Sequence, residues 1–422
     1  MKKDLLHTPE GVRDIYDREC AEKEVLEARL KDVLHSYGYS DIQTPTFEFF
    51  DVFSKEKGSV PDTELYKFFD RYGHTLCLRP DMTPSIARTA AKYYGDRLLP
   101  VKLCYDGNTF VNDNKYYAGR LKENTMVGAE LIGDDSLAAD FEAIQMSVDC
   151  MKNAGLTEFQ VEVGNVAFFN GLLNAAGIKG DDALDLLVMI QDKNFLGVEE
   201  VLDSLNIDKK ISRVLEDLPR LFGSEEVLKE ARELTDIPEC LAALDRLEAL
   251  NELLKASGYD ANISFDLGEV SSHAYYTGII FHAYTFGTGE PVLNGGRYDK
   301  LIAQFGVDKP SIGFSITVDR LLSALQRQQI TVPVDVSGAL LICSDETSSE
   351  ASLLASALRD AGEKVLLIHA HEDKTAADYK EYAENAFLTK VYDYTRAGSV
   401  VVTALDTLES EELTPDALKG GN

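Results

Sequence analysis

Four stretches of this 422-residue chain carry side chains whose types and spacing could do chemistry. In Leu78-Arg79-Pro80-Asp81-Met82-Thr83-Pro84 a carboxylate and a hydroxyl stand two residues apart. On an extended segment both fall on one side, suited to gripping an ammonium group, although a turn would use the same proline and aspartate. Gly119-Arg120-Leu121-Lys122-Glu123, followed by Gly128-Ala129-Glu130, sets alternating charges on strand-like sequence. Tyr275-Tyr276-Thr277-Gly278 puts two phenols beside a flexible backbone position, an arrangement shared with packed sheet faces. Asn294-Gly295-Gly296-Arg297-Tyr298-Asp299 could form a phosphate-accepting nest with an arginine, or a hairpin. The chain has no nucleophile elbow, metalloprotease helix, P-loop or GxGxxG after a strand, so no nucleotide cofactor is implied.

Six cysteines (Cys20, Cys77, Cys104, Cys150, Cys240, Cys343) are scattered without CxxC or CxH spacing, which argues against a zinc cluster or disulfide framework. His369 and His371 alternate on one side of a strand-like run without an obvious third metal ligand, as a surface or strand-end pair would. A net charge of −30 repels phosphate backbones and anionic membrane surfaces. Because no window approaches 18 uninterrupted apolar residues and the first seven residues lack a secretory apolar stretch, the expected location is the cytoplasm.

The elements that must position these groups are legible from periodicity. Val25, Leu30, Val33, Leu34 and Tyr37 recur at helical spacing ahead of Gly38, which predicts a helix over 17–37. Short β-branched and aromatic stretches at 39–50, 75–79, 99–110 and 123–132 read as strands of a largely antiparallel sheet. A helix over 135–154 and a strand over 158–163 follow. From about 168 to 258 the pattern is short helices, which suggests a helical insertion. Strand signals resume at 262–267 and 275–284, and a helix starts near Val318 to close a first domain at about residue 330. Thr331-Val332-Pro333-Val334-Asp335 reads as a linker. Residues 336–422 then alternate strand and helix, the pattern of a small α/β domain with helical crossovers. The fold class expected is α+β, an antiparallel-sheet domain with a helical insertion plus that α/β module.

In their order along the chain, Thr8-Pro9-Glu10-Gly11-Val12-Arg13-Asp14, the segments 78–83 and 119–130, Tyr275-Tyr276-Thr277-Gly278, Gly295-Gly296-Arg297-Tyr298-Asp299 and 312–321 resemble the histidyl-tRNA synthetase family. The resemblance spans residues 8–321. It implies the class II aminoacyl-tRNA synthetase fold, normally a dimer, with an anticodon-binding-like C-terminal domain. Three departures bear on chemistry. The family has an arginine directly after Gly-x-x-Phe of its second motif, against the α-phosphate of ATP, whereas Gly107-Asn108-Thr109-Phe110 is followed by Val111. Ser271 stands where a second arginine is expected, and Met126 replaces a glutamine.

This combination resembles the regulatory-subunit branch of ATP phosphoribosyltransferase, a synthetase paralogue without aminoacylation activity that partners the short-form catalytic subunit in the first step of histidine biosynthesis. Asp81 in place of the synthetase's glutamate is one mark of it, and residues 335–422, with 17 acidic and seven basic side chains, suit an anticodon stem poorly. What the resemblance implies is a non-catalytic regulator that binds L-histidine and mediates feedback, a homodimer within a hetero-oligomer that uses no tRNA. By matched position Asp81 and Thr83 would hold the ammonium group, Glu130 and Tyr276 the imidazole, and Arg120 the carboxylate. Tyr275 would join them only if both tyrosines point inward, which strand alternation opposes. A second reading is a histidyl-tRNA synthetase with displaced arginines, retaining Arg320 of its third motif to contact ATP, and a third is a structural oligomerisation protein with a vestigial pocket, in which Arg320 is a helix-surface or dimer-interface charge.

Overall fold

The computed structural model describes residues 6–54, 60–112, 120–205, 207–269 and 275–419. The chain divides into two compact units, one holding Lys23–Val332 with the chain up to Asp14, the other holding Ile15–Glu22 with Pro333 onward.

The strands of the first unit are β1 (Ser40–Asp41), β2 (Phe47–Phe49), β3 (Lys67–Phe69), β4 (Thr75–Leu78), β5 (Val101–Phe110), β6 (Glu123–Ile132), β7 (Phe159–Asn165), β8 (Phe222–Gly223), β9 (Ile263–Asp266), β10 (Ile279–Thr285), β11 (Leu293–Arg297) and β12 (Ser311–Thr317). Nine of them form one sheet in the order β1-β5-β6-β12-β11-β10-β7-β9-β8, antiparallel except where β1 meets β5 and β7 meets β9. β2, β4 and β3 form a separate small sheet.

Helix α1 (Asp17–Ser36) buries Leu26, Leu30, Val33 and Leu34, one stripe at helical spacing, and Gly38 beyond it takes a left-handed φ of +82°. Helix α2 (Thr83–Tyr94) starts where an extended segment or a turn was expected, because Pro84 suits the first helical turn. Helix α3 (Leu137–Ala154) is capped by the Ser136 hydroxyl, which accepts from the Ala139 N–H, and ends at Gly155. Together with the sheet face that carries Val127, Ala129, Val161, Phe281 and Phe314 it makes the large core. Residues 166–256 fold as α4 (Val166–Ala176), α5 (Asp181–Gln191), α6 (Phe195–Ser204), α7 (Lys209–Asp217), α8 (Glu226–Leu234) and α9 (Pro238–Ala256), interrupted by the two-residue β8. Helix α10 (Val318–Arg327) follows β12 directly. On the opposite sheet face a second core gathers Leu103, Tyr105 and Ile132 with Met82 and Ile86 of the α2 region, Tyr275 and Tyr298.

The second unit has β13 (Ala339–Cys343), α11 (Ser348–Asp360), β14 (Val365–His369), α12 (Ala376–Asn385), β15 (Lys390–Arg396), β16 (Ser399–Ala404), β17 (Ser410–Leu413) and α13 (Pro415–Lys419). Its sheet order is β14-β13-β15-β16-β17, with β13 parallel to both neighbours and the remaining pairs antiparallel. Apolar clusters lie on both faces, one around Leu354 of α11 and one around Ala383 of α12, so β13 reads as an unbroken apolar run. Among the described residues no helix is long and apolar enough to cross a membrane.

Candidate functional site

Glu130 sits in β6, opposite Leu103 of β5 and Gly313 of β12, and is buried. Its carboxylate needs the space that Gly313 leaves: a Cβ on that glycine would lie 1.7 Å from Glu130 Oε2. Two hydroxyls satisfy the carboxylate. Thr83, the first residue of α2, donates to Oε1 at 2.8 Å, and Tyr298, just past β11, donates to Oε2. Asp81 Oδ1 accepts from the Thr83 N–H at 3.2 Å, and Oδ2 accepts from the Tyr275 hydroxyl at 3.1 Å. Tyr275, Asp81, Thr83, Glu130 and Tyr298 therefore form one connected network.

Asp81 thus performs the turn role its neighbours suggested, since it holds the first turn of α2, while its second oxygen faces the tyrosines. Tyr275 and Tyr276 precede β10 instead of lying in it, so strand alternation does not separate them. Their ring centroids are 4.9 Å apart and the Tyr275 ring meets Tyr298 edge-on at 6.0 Å. Thr277 anchors this corner by donating its N–H to the Arg297 carbonyl at 2.8 Å and accepting from the Asp299 N–H at 3.0 Å.

Burial pushes the Glu130 carboxyl up to about 8, with Asp81 adding to the rise and the Tyr298 and Thr83 hydroxyls opposing it. Burial, reinforced by the nearby carboxylates, also raises the phenols of Tyr275, Tyr276 and Tyr298, so they remain hydroxyl donors. Hydroxyls and a backbone N–H are the described partners of both carboxylates, and no lysine or arginine among the described residues pairs with either. Two carboxylates with no cationic partner among the described residues suit a ligand bearing an ammonium group and ring N–H donors.

Five of the six expected site residues, Asp81, Thr83, Glu130, Tyr275 and Tyr276, come together in or against this network. Thr83 is turned to Glu130. Arg120 is placed elsewhere: its Nε donates to Glu290 Oε1 at 2.6 Å. Register explains the separation, because Arg120 precedes the start of β6 at Glu123 whereas Glu130 lies seven residues into it. At ~3.4 Å per residue that gap exceeds the length of one amino-acid ligand.

The Asn294–Asp299 stretch is no phosphate nest. Gly295 and Gly296 lie inside β11, where Cβ atoms would press on the rings of Phe281 and Tyr276 at 2.4 and 2.6 Å. Arg297 is buried against Asp140, with Nη2 2.6 Å from Oδ1. Tyr298, quoted in that motif only for its neighbours, is the residue the sequence reading missed. A phenol next to a glycine pair that must admit aromatic rings was its only signal. Val111 continues the strand pairing through an N–H to Lys122 carbonyl bond of 2.9 Å, and Met126 is half-buried against the second core. Ser271 lies outside the described residues.

Among the described residues two other groups have metal-ligating atoms near one another, His35/Asp41/Cys104 and Glu162/Asp266/Glu269. Each already holds a lysine, with Lys31 3.0 Å from Asp41 and Lys193 2.7 Å from Asp266, which occupies the position a cation would take. His369 ends β14 exposed and pairs with Asp345 at 3.0 Å.

The family model for histidyl-tRNA synthetase matches residues 11–321. An ATP phosphoribosyltransferase regulatory subunit from Acetivibrio thermocellus is 36% identical over 389 residues, covering 92% of this chain and 93% of that one. One from Clostridium acetobutylicum is 40% identical over 76% of this chain and 79% of its own. A solved structure described as an ATP phosphoribosyltransferase regulatory subunit/histidyl-tRNA synthetase from Bacillus halodurans superposes with a TM-score of 0.80 at 30% identity, covering 93% of this chain and 99% of that one. Histidyl-tRNA synthetase from a Nostoc species, at 20% identity, shares the fold over 98% of both chains with a TM-score of 0.76. The network around Glu130 is therefore built on the class II synthetase sheet, and the chain belongs to the histidyl-tRNA synthetase-like family of ATP phosphoribosyltransferase regulatory subunits.

Proposed function

We propose that this chain is the regulatory subunit of an ATP phosphoribosyltransferase, has no catalytic activity of its own, and carries histidine feedback to a short-form catalytic subunit. It works in the cytoplasm as a homodimer within a hetero-oligomer and uses no tRNA. The observation that carries the reading is the network of Asp81 and Glu130 with Thr83, Tyr275 and Tyr298, against which Tyr276 packs and to which no lysine or arginine among the described residues contributes. Asp81 takes the ammonium group, Glu130 accepts from an imidazole N–H with Thr83 and Tyr298 holding its other lone pairs, the Tyr276 hydroxyl hydrogen-bonds the imidazole, and Tyr275 bounds the ring. Arg120 is omitted from these contacts because it stands on Glu290. Lack of catalysis is supported by Val111, which cannot neutralise a developing phosphate charge. The acidic C-terminal unit supports the absence of tRNA.

The test is to reconstitute the chain with a short-form catalytic subunit and assay phosphoribosyltransferase activity with and without histidine. Histidine titration and histidine-dependent ATP–pyrophosphate exchange are measured on the chain alone. The reading expects an activity that requires both subunits, saturable histidine binding and no exchange. Robust exchange would instead identify a working synthetase.

A further inference from the structure

Away from the Glu130 network, two arginines from distant parts of the chain converge on one carboxylate. Arg120 Nε lies 2.6 Å from Glu290 Oε1, and Arg320 Nη2 lies 2.6 Å from Glu290 Oε2. Arg120 leads into β6, Arg320 is in the first turn of α10, and Glu290 is in the connection between β10 and β11. The contact is built. Thr288 donates its hydroxyl to the Glu290 carbonyl at 2.7 Å, while α10 and the residue after it fasten the same connection: Arg320 to the Pro291 carbonyl, Arg327 to that of Gly287, and Gln328 to that of Phe286 at 2.9 Å. Burial pulls the Arg320 guanidinium downward, Glu290 opposes the pull, and Arg120 adds to it, so the two guanidiniums are near enough to repel.

Two guanidiniums held together, Arg320 partly buried and Arg120 exposed, make an oxyanion site, since each planar fork matches a carboxylate or phosphate edge. We propose that Glu290 is a specificity determinant: its carboxylate occupies an Arg120–Arg320 oxyanion site from within and so excludes polyphosphates from this face of the sheet. An internal ligand tethered by the backbone is present at high effective concentration, and an incoming phosphate must displace it. The inference does not depend on histidine binding.

The experiment measures binding of inorganic tripolyphosphate and of ATP to the full chain by calorimetry, for wild type, Glu290→Gln, Glu290→Ala and Glu290→Gln/Arg320→Ala. Circular dichroism and melting confirm that each variant is folded. Wild type should show little or no saturable binding. Both single variants should bind tripolyphosphate at least roughly ten-fold tighter, since a phosphate then gains the charge-assisted bonds that Glu290 held. The gain should shrink at high salt and vanish in the double variant. Equal affinities for ATP and tripolyphosphate would show that the site reads only the phosphates, and tighter ATP binding that it also reads the nucleoside. Either fits the proposal. Wild type binding as tightly as Glu290→Gln, no gain in folded single variants, or a gain that survives Arg320→Ala would overturn it.

Discussion

Asp81 and Glu130 are both carboxylates in the same network, yet their surroundings give them different work. Asp81 is only partly buried and holds the first turn of α2 with one oxygen, which leaves the other for the Tyr275 hydroxyl and a ligand ammonium. Asp81→Ala should weaken histidine binding about ten- to a hundred-fold, the worth of one charge-assisted hydrogen bond, and an unchanged dissociation constant in calorimetry would reduce Asp81 to a helix-start residue. Asp81→Asn separates the two roles, because the amide oxygen can still accept from Thr83 N–H while the charge is gone. Glu130 is governed by burial, which moves its carboxyl from the ordinary 4.5 to about 8. Between those values the unfolded chain releases a proton that the folded chain keeps. The stabilising contribution is therefore fully present below about 4.5 and lost as pH rises through about 8. Urea unfolding from pH 5 to 9 should show wild type losing stability relative to Glu130→Gln, which has nothing to titrate there. Parallel curves would mean that the Glu130 carboxyl is not buried in this way.

At the scale of elements, the strands and helices with strong periodicity were legible and the corners that make the site were not. β6 was expected over 123–132 and spans Glu123–Ile132, and α3 was expected over 135–154 and spans Leu137–Ala154. Each carries many residues of one period, and α3 has a capping serine and a terminal glycine. Helix α2 was missed because Pro80 and Pro84 read as a turn, whereas the second proline initiates the helix whose first residue, Thr83, meets Glu130. Treating Tyr275-Tyr276 as strand residues misjudged their facing for the same kind of reason: the strand begins four residues later, at Ile279. No local pattern could reveal that Gly313 stands opposite Glu130, since that pairing joins residues 183 positions apart. The pairing makes its own prediction. In Gly313→Ala the new methyl enters the space of the Glu130 carboxylate, which should cost about 1–3 kcal/mol in chemical denaturation and abolish the thermal stabilisation by histidine. Adding Glu130→Asp, which withdraws the carboxylate, should recover part of that loss, so the two changes should be non-additive. Full additivity would separate Gly313 from the site.

For the molecule as a whole, regulation requires that occupancy of one site change chemistry at another, which is a coupling free energy and hence reciprocal for binding. The Tyr276 ring packs where Gly296 makes room for it, and its hydroxyl lies among the phenols and carboxylates of the network. Tyr276→Phe should keep that packing and remove a hydroxyl, so the complex with the catalytic subunit should assemble and its activity without histidine should survive. Sensitivity to histidine should fall, by roughly the three- to ten-fold that one neutral hydrogen bond is worth, and inhibition curves of wild-type and variant complexes measure that shift. Linkage then fixes a second result. Whatever factor histidine imposes on the binding of the catalytic subunit's substrates, those substrates must impose on the binding of histidine to the complex. Histidine titrations of the assembled complex with and without substrate measure that factor independently of any rate. Unaltered inhibition in Tyr276→Phe, together with a histidine affinity indifferent to substrate, would locate feedback in the catalytic subunit. The Asp81–Glu130 network would then be an inheritance of the synthetase fold that no longer communicates.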